Sequence, residues 1–113
     1  MTDRCLFCRI VSGELPVTTV AENEYAVAFR DLHPQAPVHV LVVPRRHVAS
    51  LADATDGVEL GAVALLAARV ARDEGIAETG YRTVINSGAN AGQSVGHLHM
   101  HVLGGRQMGW PPG

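Results

Sequence analysis

The sequence contains no lysine; all nine of its basic residues are arginine. They are scattered, and against eleven acidic residues they leave a formal net charge of -2. That balance excludes a general nucleic-acid binder with a basic face. Aromatic residues are scarce, at 4%. No apolar run approaches the ~18–20 residues needed to span a bilayer, so no membrane partner is expected. The opening Met1-Thr2-Asp3-Arg4-Cys5 lacks the basic and apolar regions of a secretory signal, which points to a cytoplasmic setting. Internal repeats and low-complexity linkers are also missing. The two cysteines, Cys5 and Cys8, are then poor candidates for a disulfide. Two residues apart, they read as half a metal site or a redox pair. No strand precedes them, which weakens the redox reading.

What is present is a globular composition, 47% hydrophobic and 18% charged, over 113 residues. Residues 1–113 fit a single domain, which buries roughly two-thirds of the surface its unfolded chain exposes. Apolar spacing predicts a short helix over Cys5–Ser12, ended by Gly13. Val17–Ala21 and Tyr25–Phe29 read as strands about a turn at Glu22-Asn23-Glu24. Leu32–Pro37 is a loop, and the β-branched Val38–Val43 is a strand closed by Pro44. Ala49–Asp56 is a short helix or loop. Val58–Gly75 is the long helix, with Leu60, Val63, Ala64, Ala67, Val70 and Ala71 as its apolar stripe. Tyr81–Asn86 and His97–Leu103 are strands around a small-residue loop, Ser87–Gly96. With one long and one short helix, repeated βαβ units are excluded. The fold class is α+β, an antiparallel sheet with helices packed on it.

Six histidines stand out in so small a chain. In a strand, His97, His99 and His101 share one face at intervals of about 6.6–6.8 Å, with Leu98, Met100 and Val102 turned to the core. Three imidazoles in register are a poor filler for a solvated face. Two sharper readings stand: a metal site using two or three imidazoles, or a nucleophilic imidazole with helpers. The preceding loop, Asn86 to Ser94, offers small residues, backbone N–H groups and side-chain donors suited to phosphate oxygens. Loop and histidines together suggest phosphoryl or nucleotidyl chemistry.

The segment Gly92-Gln93-Ser94-Val95-Gly96-His97-Leu98-His99-Met100-His101-Val102-Leu103 fits the pattern His-φ-His-φ-His-φ-φ, with φ apolar. With Cys5-Leu6-Phe7-Cys8, Phe29-Arg30-Asp31-Leu32, Pro34-Gln35-Ala36-Pro37, Val43-Pro44-Arg45-Arg46-His47 and the ending Gly105 to Gly113, the chain resembles the histidine triad (HIT) family. The tail resembles its Hint branch, the purine nucleoside phosphoramidases.

The resemblance implies a histidine triad fold and a homodimer whose sheets extend across the interface. It implies that His99 attacks the α-phosphorus of a nucleotide and is transiently nucleotidylated. The leaving group is then an amine, as in an adenosine 5′-phosphoramidate, and water releases the nucleoside monophosphate. His101 would contact the phosphate, and Ser94 the leaving group. Asn86, Gly92, Gln93 and Val95 would complete the phosphate cradle. Asp31, otherwise a turn-forming residue, would hold the ribose hydroxyls. Phe7, Ile10, Leu15, Phe29 and Leu32 would wall the base, and Trp110 would approach the partner's site. His39 would orient the triad or relay protons, while His33 reads as a solvated loop residue.

The resemblance also completes the metal half-site: Cys5, Cys8, His47 and His97 would hold a structural zinc ion, with no metal required for the chemistry. Gly96 and Gly109 depart from the larger residues common in eukaryotic relatives. The alternatives are a nucleotide-binding interaction module with little turnover, a dinucleoside polyphosphate hydrolase of the same family, and a hydrolase with all three histidines on one ion.

Overall fold

The computed structural model describes residues 4–113. Cys5 opens helix α1 (Leu6–Val11), its Sγ accepting the Cys8 N–H at 3.4 Å. Gly13, at φ +85°, turns the chain out of the helix. Strand β1 (Thr19–Glu22) and strand β2 (Ala26–Arg30) form a hairpin. The Asn23 side chain holds its turn by accepting the Tyr25 and Ala26 N–H groups at 3.0 and 2.8 Å. Strand β3 (Val38–Pro44) follows, then a 3₁₀ turn at Leu51–Asp53. Helix α2 (Gly57–Asp73) is capped by Asp56, whose carboxylate accepts from the Val58 and Glu59 N–H groups. Gly75, at φ +74°, lies just beyond its C-cap, Glu74. Strands β4 (Tyr81–Ile85) and β5 (Met100–Gly104) complete one antiparallel sheet of order β1-β2-β3-β5-β4. The α+β expectation holds, with one long and one short helix.

The sheet is buried on both faces at its centre. Val40 and Val42 of β3 face α2, with Ala26, Ala28, Val63, Leu66, Val70 and Val102. Their strand neighbours Leu41 and Val43 face the other way, toward α1, with Phe7, Val27 and Phe29. Period-two alternation therefore splits β3 between two cores.

Element ends shift by a residue or two from the sequence reading throughout, and three departures have a cause in packing or hydrogen bonding. β1 starts at Thr19 rather than Val17, because Val17 packs against the α1-side core instead. In α2 the buried stripe includes Leu66 and leaves Ala64 exposed; the helix is rotated so that positions 59, 63, 66, 67, 70 and 71 face inward. The third is at β5, which begins at Met100, so His97 and His99 precede the strand in a bend. Pairing with β3 ends at Val42↔Met100. Beyond it the backbone leaves the ladder: the Leu98 N–H donates to the Val48 carbonyl at 2.6 Å, and the His97 carbonyl accepts from the ring of His99.

Candidate active site and metal cluster

The α1 face of the sheet carries a cavity of about 440 Å³. Its walls are largely apolar: Phe7, Ile10, Leu15, Phe29 and Leu32 line it, as the sequence suggested. Asp31, Ser94, His99 and His101 supply its polar groups, and Val95 lines it beside Ser94. Leu6, Pro16, Val17, Arg30, His33 and Leu41 also line it and were not anticipated. His33 is exposed in its loop as expected, yet that loop forms the rim.

Although only His101 is within a strand, the three triad rings fall on one side of the chain. His99 and His101 stand 5.0 Å apart between ring centroids, and the Phe7 ring meets His97 at 5.9 Å and His99 at 5.1 Å, both edge-on. Leu98, between the first two histidines, and Val102, after the third, are buried, and Met100 is half-buried.

Hydrogen bonds assign the tautomers. A carbonyl only accepts, so His99 Nδ1–H donates to the His97 carbonyl at 2.8 Å, and the lone pair lies on Nε2. His39 is the reverse case. Its Nδ1 accepts the Gln35 N–H at 2.9 Å, so the proton of the neutral ring is on Nε2. That Nε2–H faces His101 Nδ1 at 2.9 Å and Asp31 Oδ2 at 3.3 Å. With Nδ1 of His101 accepting, its own proton sits on Nε2. A relay thus runs from the Gln35 amide through His39 to His101. Asp31, His39 and His101 bring three donor atoms within 4.8 Å of one another. The Gln35 amide nevertheless keeps His39 Nε2 protonated, which unsuits this trio to a cation.

Burial pushes the His101 imidazole down to about 4, with the neighbouring His99 and His39 adding and Asp31 opposing. Burial also lowers His39, against the pull of Asp31. Both rings are neutral at physiological pH. Asp31 fills two roles at once, since its Oδ1 accepts the His33 N–H at 2.8 Å and closes the turn after β2.

Ser94 lies exposed at the cavity rim. Asn86, Gly92, Gln93 and Trp110, expected near the nucleotide, are not among the lining residues. The Gly92 N–H donates to the Ala89 carbonyl and the Gln93 N–H to the Gly88 carbonyl. The Gln93 side chain is also committed: its Oε1 accepts the Gly88 N–H, and its Nε2 donates to the Ala49 and Val95 carbonyls. Gln93 therefore braces the loop that presents Ser94. Trp110 stands 82% exposed on the β4 side of the sheet, with the Arg82 guanidinium 5.9 Å over its ring.

The second cluster lies beside the cavity. Cys5 and Cys8 of the α1 turn meet His47, after β3, and His97, with one donor atom of each within 4.8 Å of the others. His97 Nδ1 is 3.4 Å from Cys5 Sγ and 3.5 Å from Cys8 Sγ, and His47 Nδ1 is 3.4 Å from Cys8 Sγ. Zn–S bonds of about 2.3 Å and Zn–N bonds of about 2.0–2.1 Å at tetrahedral angles place sulfur and nitrogen about 3.6 Å apart. The four donors fit zinc. His97 is also prepared as a ligand, because its Nε2–H donates to the Pro44 carbonyl at 2.9 Å and leaves Nδ1 unprotonated. Burial and the neighbouring Cys5 push the Cys8 thiol up to about 11, the cost of a buried thiolate without a cation beside it.

A five-stranded antiparallel sheet and three alternating imidazoles, two of them lining an apolar cleft and one set among the cysteines beside it, define a histidine triad domain. The chain belongs to the HIT domain family, whose model matches residues 12–108. It is 48% identical over 112 residues to a 14 kDa zinc-binding protein of Zea mays, covering 96% of this chain and 87% of that one. The crystal structure of a HIT family hydrolase from Legionella pneumophila superposes with a TM-score of 0.94 at 47% identity, covering 97% of this chain and 100% of that one. A histidine triad nucleotide-binding protein from Candida albicans superposes with a TM-score of 0.83 at 30% identity, covering 95% and 82%.

Proposed function

We propose that the protein is a nucleotide-binding hydrolase that cleaves nucleoside phosphoramidates, of the adenosine 5′-phosphoramidate type, through a nucleotidyl-His99 intermediate. The observation that carries this reading is the ring of His99. Its Nδ1–H is held by the His97 carbonyl, which leaves the Nε2 lone pair for phosphorus. His99 Nε2 attacks the α-phosphorus, the bond from phosphorus to the leaving nitrogen breaks, and the amine departs with a proton. Water then attacks the same phosphorus, the His99–phosphorus bond breaks, and the nucleoside monophosphate is released.

The other residues serve these two displacements. His101 donates its Nε2–H to a phosphoryl oxygen, a donor held neutral by burial and aligned by His39. Ser94, at the rim, serves the leaving nitrogen as a hydrogen-bond donor or as a carrier that takes up one proton as it passes another on. With Val95 it forms the part of the phosphate cradle that faces the cavity. Asp31 receives the ribose hydroxyls, and Phe7, Ile10, Leu15, Phe29 and Leu32 enclose a purine base. The Legionella relative's description as a hydrolase and the Candida relative's as nucleotide-binding support this reading.

Cys5, Cys8, His47 and His97 would hold a structural zinc ion, which would tie the α1 turn to the sheet and take no part in either displacement. The fit of the donors and the description of the Zea mays relative as zinc-binding support this. Residues 1–113 act as one HIT domain in the cytoplasm, and no helix among the described residues is long and apolar enough to cross a membrane. A second copy pairs along β4, an edge strand of the sheet, giving a homodimer whose sheets continue across the interface. Trp110 then reaches the partner's site.

The test is hydrolysis of adenosine 5′-phosphoramidate by the wild type and by His99→Ala. The wild type should release AMP, and the variant should lose turnover while still binding AMP. Equal rates would overturn the assignment.

A further inference from the structure

His97 belongs to both clusters at once. Its side chain lies among the metal donors, with Nδ1 3.4 and 3.5 Å from the two sulfurs. Its main-chain carbonyl accepts His99 Nδ1–H at 2.8 Å. That carbonyl shares a planar peptide with the Leu98 N–H, so the two point in opposite directions and turn together. The Leu98 N–H in turn donates to the Val48 carbonyl at 2.6 Å. Val48 directly follows His47, the fourth donor of the cluster. The peptide that aims the His99 ring is therefore clasped between two chain segments, and each segment carries one of the two histidine donors. A third tie runs through α1: Phe7, between Cys5 and Cys8, sets its ring edge-on to His99 at 5.1 Å.

We propose that the Cys5–Cys8–His47–His97 cluster is a positioning device for the nucleophile. A zinc ion there locks segments 47–48 and 97–98 together, and so holds the His97–Leu98 peptide in the plane that keeps the proton of His99 on Nδ1. His97 is thus a positioning residue that acts on His99 through its carbonyl. The proposal rests on the zinc and nucleophile roles assigned above and gives the ion a task beyond holding the fold. Structural bracing alone would let the metal go without consequence for His99, provided the chain stayed folded.

The experiment compares zinc-loaded protein, chelator-stripped protein and the Cys5→Ala/Cys8→Ala double variant. Far-UV circular dichroism reports the fold, and ¹⁵N-edited NMR of the imidazoles reports the tautomer of His99 without substrate. Loaded protein should show His99 as the Nδ1–H form. Stripped protein and the double variant should stay folded and show His99 in mixed tautomers. One equivalent of zinc should restore the single form to the stripped protein only. In turnover, kcat should fall about 10–100-fold on stripping with KM little changed. A folded, stripped protein whose His99 keeps the Nδ1–H form overturns the proposal. Loss of the whole fold in both metal-free forms overturns it as well, because the cluster would then sustain the domain rather than aim a ring. A loaded protein that hydrolyses no phosphoramidate refutes the proposed reaction alone, since the tautomer is read without turnover.

Discussion

Acidification should destabilise this protein through His101, and the size of the effect follows from its position. Burial between His99 and His39 lowers the His101 imidazole from its ordinary 6.5 to about 4. Between those values the unfolded chain binds a proton that the folded chain refuses. Stability therefore rises with pH across that window; the contribution is fully present above about 6.5 and is lost as pH falls toward 4. At pH 5 an unfolded histidine is almost fully protonated and His101 is about a tenth protonated, a difference worth about 2 kcal/mol. His101 is only half-buried, and solvent at the cavity mouth reduces this to about 1–1.5 kcal/mol. The assay is urea unfolding of wild type and His101→Asn at pH 7 and pH 5. The variant lacks the titrating ring but keeps a donor of similar reach. Both proteins weaken on acidification through their other groups, and the wild type should weaken by about 1 kcal/mol more. Equal losses would refute the claim that a neutral, buried His101 is built into the fold.

Metal analysis of protein purified without chelator should find about one zinc per chain, and folded protein that carries no metal when so purified would refute the four-ligand site. Gly104→Ala in β5 would bring a Cβ to 2.6 Å from Ile76 Cδ1 and 3.0 Å from its Cβ. Unfolding should show a loss of about 1–3 kcal/mol, and the double variant with Ile76→Ala should lose less than the sum of the two single variants. Asp56→Ala removes the acceptor for two N–H groups at the start of α2 and should cost about 1 kcal/mol in thermal or urea unfolding. A sedimentation mass near 12.0 kDa at micromolar concentration would exclude the homodimer.

Spacing alone exposed the triad segment, because alternate histidines among apolar residues are legible wherever they fall. The long helix and β3 were equally plain, one from its 3.6-residue period and the other from its run of valines. Position 98 shows where local pattern stops: the alternation continues through His97 and His99, yet the ladder ends at Met100 because Val48 captures the Leu98 N–H. No signal near residue 98 announces a partner fifty residues earlier. Gln93 fails for a related reason. An amide in a glycine-rich loop suits a phosphate, and only the fold reveals that its donors and acceptor already serve Gly88, Ala49 and Val95. The cavity rim was hidden in the same way. His33 reads as a solvated loop residue, and the Asx turn of Asp31 carries its loop to the cavity, which Arg30 at the end of β2 also lines. The Cys5–Cys8 spacing promised half a metal site, the family resemblance named His47 and His97 as the other half, and in the fold one donor atom of each of the four lies within 4.8 Å of the others.

Helix α1 has only six residues and cannot persist by itself, since isolated helices shorter than ~12–15 residues are marginal in water. It is held by Phe7 and by side-chain contacts that close loops of 39 and 92 residues, from Cys8 to His47 and from Cys5 to His97. The sheet core beneath α2 counts twelve buried residues against five on the α1 side. The segment from Cys5 to Ser12 is accordingly the smallest unit that can detach while the rest of the domain remains intact, and its amides should exchange with solvent well before those of β3. That same segment is one wall of the cleft. The breathing of a marginal helix and the widening of the cleft are thus one motion, and whatever slows the first narrows the range of shapes the cleft can admit.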